Sequence, residues 1–300
     1  MAPSSSKNAG PVLLALAILY LVWGSTYLAM RIAIEGIPPL LMAAIRFLAA
    51  GAALVAVMRL RGRPMPSARQ WRNAGLTGLL LCTFGNGLVA ISQQWVATSL
   101  AAVMVASTTL WTALFAGIAG KWPRPLEWVG LLVGAAGVVV LNLDGELRGS
   151  PLGTVLLILA PASWALGSVF AVKLEQPRGL MGSGAQMLAG GLGLLLLALL
   201  RGDTADVHPS PRSLAALLYL IIFGSLIAYS AYGYLLHTVR PALATSYAYV
   251  NPVVAMALGV SLGGEHVSTA GFVGGGLIIS AVVLVGLFRE RTPTPAPAEP

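Results

Sequence analysis

Leu40 to Gly62 reads LLMAAIRFLAAGAALVAVMRLRG, and Leu180 to Gly202 reads LMGSGAQMLAGGLGLLLLALLRG. The two stretches lie over each other without a gap and agree at Leu40, Leu48, Ala49, Gly51, Leu54, Leu60, Arg61 and Gly62. Each has the length, about 20 mostly apolar residues, at which a helix crosses a hydrocarbon core, where backbone groups must bond within their own segment. Working outward, apolar segments fall at 12–34, 39–60, 73–95, 100–120 and 126–143, then at 152–173, 181–200, 213–236, 242–263 and 268–288. An odd number of crossings per copy turns the second copy upside down. The predicted fold is therefore an all-α integral membrane protein of ten transmembrane helices in two inverted five-helix repeats. The short alternating segments of a membrane β-barrel are absent from the sequence.

Composition agrees. A chain that is 57% hydrophobic and 9% charged is outside the range of soluble domains. The net charge of +8 follows the membrane and not a nucleic-acid footprint. With the N-terminus inside, one side collects Lys7, Arg59, Arg61, Arg63, Arg69, Arg72, Lys121, Arg124, Lys173, Arg178, Arg240, Arg289 and Arg291, and the other holds Arg148, Arg201 and Arg212. Thirteen cations against three predict both termini in the cytoplasm. The first apolar stretch reads as a span and not as a cleaved signal. Cys82 is the only cysteine, so an intramolecular disulfide or cysteine-based metal site is excluded.

Further echoes cross the polar connector Asn142 to Ser150. Trp23-Gly24-Ser25 followed by Arg31 is answered by Trp164-Ala165-Leu166-Gly167-Ser168 followed by Lys173, and Ala97-Thr98-Ser99 by Ala244-Thr245-Ser246. Gly130, Gly134 and Gly137, and likewise Gly271, Gly274 and Gly275, stand at spacings that let helix backbones approach in lipid.

Trp23-Gly24-Ser25-Thr26-Tyr27, the run from Pro38-Pro39 to Arg46-Phe47, Asn251-Pro252-Val253-Val254-Ala255, and Gly263-Gly264-Glu265 before a glycine-rich last span resemble the EamA family of the drug/metabolite transporter superfamily. The resemblance covers about residues 10–288. It implies a first EamA-like repeat over 11–145 and a second over 150–288, while the polar or proline-rich composition of the ends reads as disordered tails over 1–10 and 289–300. It also implies export of small metabolites or amino acids from a bacterial inner membrane. The first half departs from the family pattern: Thr108-Thr109-Leu110-Trp111 stands where proline is frequent, and Ala119-Gly120-Lys121 where Gly-Glu is common. The family pattern pairs Thr109 with Pro252, four residues from the register set by the Ala-Thr-Ser landmark, and both registers stay open.

Among residues that could carry chemistry, Arg46 stands out. It lies about two turns into the second span with no acidic neighbour one helical turn away, and its repeat counterpart is Gln186. A charge there must face a wet cavity or a partner. The functional readings are pairing with a substrate carboxylate or holding a gate; the structural ones are a hydrogen bond to carbonyls of a neighbouring helix or snorkelling outward. Near the midplane lie Trp23, Ser25, Tyr27, Asn86, Thr108, Trp111, Trp164, Ser168, Tyr229, Tyr249 and Asn251. Of these, Trp23, Tyr27, Asn86, Trp111, Trp164, Ser168, Tyr229 and Asn251 join Arg46 as expected substrate-binding residues, since sites of this architecture gather at the repeat interface. Pro252 is expected to bend the ninth helix as a gating or structural element. Glu265 is expected to cap the tenth helix or pair with an arginine.

No Asp or Glu falls at the centre of a predicted span, which disfavours carboxylate-based proton antiport. No GxxxxGK[ST] segment is present, so direct ATP hydrolysis is excluded. The reading is an exporter of amino acids or related metabolites working by alternating access, with a multidrug, sugar or nucleoside transporter of the same fold as the alternative. An intramembrane transferase is the remote alternative, because His208, His237 and His266 lie near loops and far apart. No enzymatic activity, cofactor, metal or nucleic-acid partner is expected. The partners are a small-molecule substrate and the lipid bilayer; the oligomeric state stays open, a monomer being sufficient.

Overall fold

The computed structural model describes residues 6–118, 125–143, 150–205, 207–238 and 247–289, and every regular element among them is helical. Helix α1 comprises Ser6–Ile18, a π-helical stretch Leu19–Trp23 and Gly24–Ala33. Helix α2 is Pro39–Leu60, and α3 joins Ala68–Gly78, π-helical Leu79–Asn86 and Gly87–Ser92. Helix α4 is Thr98–Ala106 and Thr108–Ile118 on either side of Ser107, and α5 is Pro125–Leu143. Helices α6 (Pro151–Lys173) and α7 (Leu180–Arg201) follow. Helix α8 joins Pro211–Tyr219, π-helical Leu220–Ile227 and Ala228–Thr238; α9 is Tyr247–Ser261 and α10 is Thr269–Arg289.

Among the described residues, seven stretches are long and apolar enough to cross a membrane: Gly10–Ala33, Pro39–Leu60, Ala68–Ser92, Thr98–Phe115, Pro151–Lys173, Leu180–Arg201 and Pro211–Tyr232. Trp128–Gly137, Val250–Ser261 and Thr269–Ala281 are shorter apolar helices. Residues 144–149 of the connector, Ala119-Gly120-Lys121, Ala244-Thr245-Ser246 and most of the two tails lie outside the described residues.

The helix ends follow local chemistry. Proline opens α2, α6 and α8, where a missing N–H costs nothing. Ser150 and Ser210 cap α6 and α8 by accepting from Gly153 N and Ser213 N, and Ser67 and Gln70 form a reciprocal capping box on α3. The Arg-Gly pair shared by the two quoted stretches marks two helix ends: Gly62 and Gly202 have φ of +73° and +75°, a conformation that glycine adopts without steric cost.

Small residues set the closest helix contacts. A Cβ on Gly51 would lie 2.8 Å from Leu188 N and 2.9 Å from Gly184 O, and one on Gly191 would lie 3.0 Å from Leu48 N. Exchanging each residue for its partner in the quoted alignment turns the Gly51–Leu188 contact into the Leu48–Gly191 contact. Helices α2 and α7 thus meet backbone to backbone, as helices do in lipid where hydrophobicity does not drive association. Helices α5 and α10 meet the same way, with a Cβ on Gly137 falling 2.8 Å from Gly274 O.

The connections sort to two ends. At one, which we call the Glu265 face, Gly36 O accepts from His208 N at 3.0 Å, Arg212 faces Glu35 at 3.8 Å, and Arg31 donates to Gln93 O. At the other, the Arg61 face, Asn73 donates to Glu175 O at 3.0 Å and Arg69 lies 3.5 Å from the Glu175 carboxylate. Glu175 is half-exposed there, in line with its interfacial position.

Candidate functional site

A cavity of about 280 Å³ opens where α1, α2, α3, α4, α6, α8 and α9 converge. Its wall includes Trp23, Tyr27, Arg46, Asn86, Trp164, Ser168, Tyr229 and Asn251, together with Pro252. The structure therefore brings these sequence-selected residues around one space. Trp111 does not join them. It stacks on Phe115 with ring centroids 5.9 Å apart, while Val105, Thr108, Thr109 and Thr112 present the cavity-facing stripe of α4.

Arg46 is 4% exposed. Its Nε donates to Ser225 Oγ at 2.9 Å and its Nη2 to Gly224 O at 3.4 Å, while its Cζ lies 4.9 Å from the centroid of the Phe47 ring. Among the described residues no carboxylate pairs with it, and the cavity wall holds no Asp or Glu. The predicted carbonyl contact is real and coexists with the cavity-facing position. Its partner carbonyl is supplied by the π-helical stretch of α8: the extra residue per turn disturbs the i to i+4 ladder and turns carbonyls toward side-chain donors. Trp23 Nε1 donates to the same Gly224 O at 3.1 Å. A Cβ at residue 224 would lie 3.0 Å from Thr26 Cγ2 and 3.2 Å from Arg46 Nη2, so a larger residue there needs these side chains to give by a few tenths of an ångström.

The π-helical stretch of α3 works similarly. Leu80 O accepts from Ser163 Oγ at 2.8 Å, and Leu81 O accepts from Asn86 Nδ2 at 3.3 Å. Gly85 lies beside Trp164, a Cβ on it falling 3.0 Å from the indole Cε3.

The other wall is aromatic. Trp23 lies 5.4 Å from Tyr229, 5.4 Å from Tyr232 and 4.7 Å from Tyr247 between ring centroids, mostly edge to face. Tyr232 and Tyr247 were not selected from sequence, although Tyr232 follows Tyr229 at the i, i+3 spacing of one helix face. Asn251 is 6% exposed, and among the described residues its Oδ1 has no hydrogen-bond partner. Ser168 Oγ donates back to Trp164 O at 2.8 Å. Ser25 lies on the α1–α8 contact, 2.6 Å from Tyr219 OH. Gln186 does not mirror Arg46: it is half-buried, away from the cavity, and its Nε2 donates to Gln176 Oε1 at 3.4 Å. Among the described residues no group of three or more His, Cys, Asp or Glu could hold a metal ion.

At the Glu265 face the cavity ends on a buried apolar plug that includes Met30, Ala33, Met42, Val89, Leu100 and Met104. Glu265 itself caps α4 and not α10. Its Oε1 accepts from Thr98 N at 2.6 Å, and its Oε2 accepts from Ser99 N at 3.1 Å and Ser99 Oγ at 2.9 Å. Ala97 occupies the N-cap position of α4 and offers no side-chain acceptor, so the loop carboxylate takes that task from afar.

A helical membrane protein with a solute-sized polar and aromatic cavity at its centre has the form of a small-molecule transporter. The chain belongs to the EamA-like transporter family, which matches it twice, at residues 10–143 and 151–287. It is 46% identical over 284 residues to the uncharacterized inner membrane transporter YedA of Escherichia coli K12, covering 94% of this chain and 93% of YedA. A chloroplastic WAT1-related protein of Arabidopsis thaliana is 30% identical over 89% of this chain and 67% of its own length. A solved crystal structure shares the fold with a TM-score of 0.66 and 21% identity, covering 95% of this chain and all of that one.

Proposed function

We propose that the protein exports small carboxylate-bearing metabolites, amino acids foremost, across the bacterial inner membrane. The observation that carries this reading is Arg46, a buried cation on a cavity whose walls hold no carboxylate. A buried charge without a counterion is costly, and a cargo that brings the anion relieves that cost. The aromatic wall receives the apolar part of the cargo, and the Asn251 amide offers a free acceptor for an ammonium or amide donor. A cavity of about 280 Å³ stands at the small end of the size range of ligand sites, which suits amino acids over larger drugs.

The cycle is alternating access between two inverted halves of five crossings each, residues 11–145 and 150–288, with both termini in the cytoplasm. Two family matches, the reciprocal Gly51–Leu188 and Leu48–Gly191 contacts, and π-helical stretches in both α3 and α8 support the repeat. The excess of positive charge supports an orientation with the Arg61 face inside. In this reading the apolar plug and the Glu265 cap hold the opposite face shut, which supports loading from the cytoplasm in this conformation. Pro252, buried on the cavity wall within α9, supplies a bend at which that helix can yield.

The test is counterflow in proteoliposomes with a panel of neutral and acidic amino acids, nucleosides, sugars and cationic drugs. Carboxylate-bearing solutes should exchange, and Arg46→Gln should abolish their exchange while leaving the folded protein extractable. Preferential exchange of cations, or carboxylate exchange that survives Arg46→Gln, would reject the reading.

A further inference from the structure

A second recess lies outside the central cavity, on the flank of α1, α2 and α8 toward the Arg61 face. It has a volume of about 610 Å³. Its walls are apolar: Leu14 and Ile18 of α1, Leu54 and Val57 of α2, and Leu226 and Ile227 of α8. Leu14, Val57 and Ile227 are 64%, 41% and 36% exposed, so the groove opens to the hydrocarbon side and is not part of the packed interior. From Leu54 to Arg61 the helical rise of 1.5 Å per residue gives a depth of about 10 Å, most of one leaflet of a core roughly 30 Å thick.

One end of the groove is charged. Arg61, the C-terminal cap of α2, lines it together with Tyr234. Of the neighbouring cations, Arg59 donates to Arg63 O at 2.9 Å and Arg69 pairs with Glu175. Among the described residues the Arg61 guanidinium has no hydrogen-bond or ion-pair partner. An apolar trough about 10 Å deep, ending at Arg61 and Tyr234, fits a phospholipid with its acyl chain along α1 and α8 and an anionic headgroup on Arg61.

We infer that the protein binds an anionic phospholipid in the groove between α1, α2 and α8, held by Arg61. The site is separate from the cargo cavity but shares α8 with it. Tyr229 and Tyr232 face the cavity, whereas Ser230 and Tyr234 line the groove. A bound lipid therefore braces the helix segment that carries the aromatic wall.

The experiment uses the purified full chain in detergent, titrated with phosphatidylglycerol or phosphatidylcholine of identical acyl chains. Thermal unfolding and native mass spectrometry of retained lipid provide the readouts. Phosphatidylglycerol should bind roughly fivefold more tightly, the worth of one Lys or Arg at an anionic surface, and high salt should erase the difference. Arg61→Gln should remove the headgroup preference and Arg63→Gln should keep it. Ala53→Trp, which fills the groove, should reduce retention of both lipids. Equal binding of the two lipids by the unmodified protein overturns the inference, whatever the variants do. So does a preference that survives Arg61→Gln or falls equally with Arg63→Gln, since that is general surface charge.

Discussion

Replacing Glu265 with glutamine should unlatch the Glu265 face. The carboxylate accepts three hydrogen bonds, from Thr98 N, Ser99 N and Ser99 Oγ, at 2.6, 3.1 and 2.9 Å. Thr98 is fully buried and Ser99 is 5% exposed, so donors that lose this partner have little water to turn to. Glutamine keeps one oxygen for Thr98 N, but its NH2 group then confronts the Ser99 N–H, donor against donor. A charge-assisted hydrogen bond is worth roughly 1.5–3 kcal/mol net, and a carboxylate at a helix N-terminus adds about 0.3–1 kcal/mol. Losing the charge and one or two bonds while keeping the third gives about 2–3 kcal/mol. The cap joins the loop after α9 to the start of α4, and under the proposed alternating access it forms only while this face is shut. The loss therefore shifts the balance toward the opposite conformation by roughly 30- to 150-fold.

The measurement is cysteine access. Cys82, the only cysteine, is buried and can be replaced by serine. A reporter cysteine at Met30, 4% exposed where the plug meets the cavity wall, is then probed with a membrane-impermeant maleimide from each side of the membrane. Glu265→Gln should raise labelling from the Glu265 side at least tenfold. If the variant lowers thermal stability and leaves labelling unchanged from both sides, the cap is a helix stop without a part in access, and the reasoning fails.

Other outcomes follow from the contacts. Gly51→Ala places a Cβ against backbone atoms of α7 that cannot rotate away, so the variant should lose about 1–3 kcal/mol in reversible unfolding. Gly75→Ala, where nothing lies within 4 Å, should be neutral or gain up to about 1 kcal/mol by the same measurement. Trp23→Phe removes the indole bond to Gly224 O and should cost about 0.5–1.5 kcal/mol in unfolding while also weakening cargo binding by calorimetry. Asn251→Asp brings an anion into the cavity that holds Arg46 and should weaken carboxylate binding roughly tenfold, whereas neutral solutes are spared.

The all-helical fold was legible because backbone in lipid has few options, and a 20-residue apolar run states its length directly. Arg46 was legible for the same reason, since a cation inside such a run must be accommodated. Trp111 misled because hydropathy locates a residue along a span but not around it. Ser107 interrupts α4, and while Val105, Thr108, Thr109 and Thr112 line the cavity, Trp111 lies beside that stripe and stacks on Phe115. Glu265 was readable as a cap, but its partner was not: Thr98 lies 167 residues earlier, and nothing local links them. The π-helical stretches left no trace in composition either. They are set by tertiary contact, with Ser163 and Trp23 taking carbonyls that a regular helix would keep. Helices α9 and α10 were expected at full crossing length, and their described apolar portions, Val250–Ser261 and Thr269–Ala281, are shorter.

The two stretches that disclose the fold also explain why one half carries the charge. In α7, Gln186 lies against α3 at Gly78, where the absence of a side chain lets backbone meet backbone and leaves the amide to reach Gln176. In α2, Arg46 faces α8, where the π-helical stretch offers Gly224 O and Ser225 Oγ as a seat for a guanidinium. A second arginine at 186 would have no such seat, and a second cation turned into a cavity of about 280 Å³ would repel the first. A cargo with one carboxylate needs one counterion. Under the inverted-repeat reading, the frame can therefore be symmetric for motion while the chemistry at its centre is single and polar.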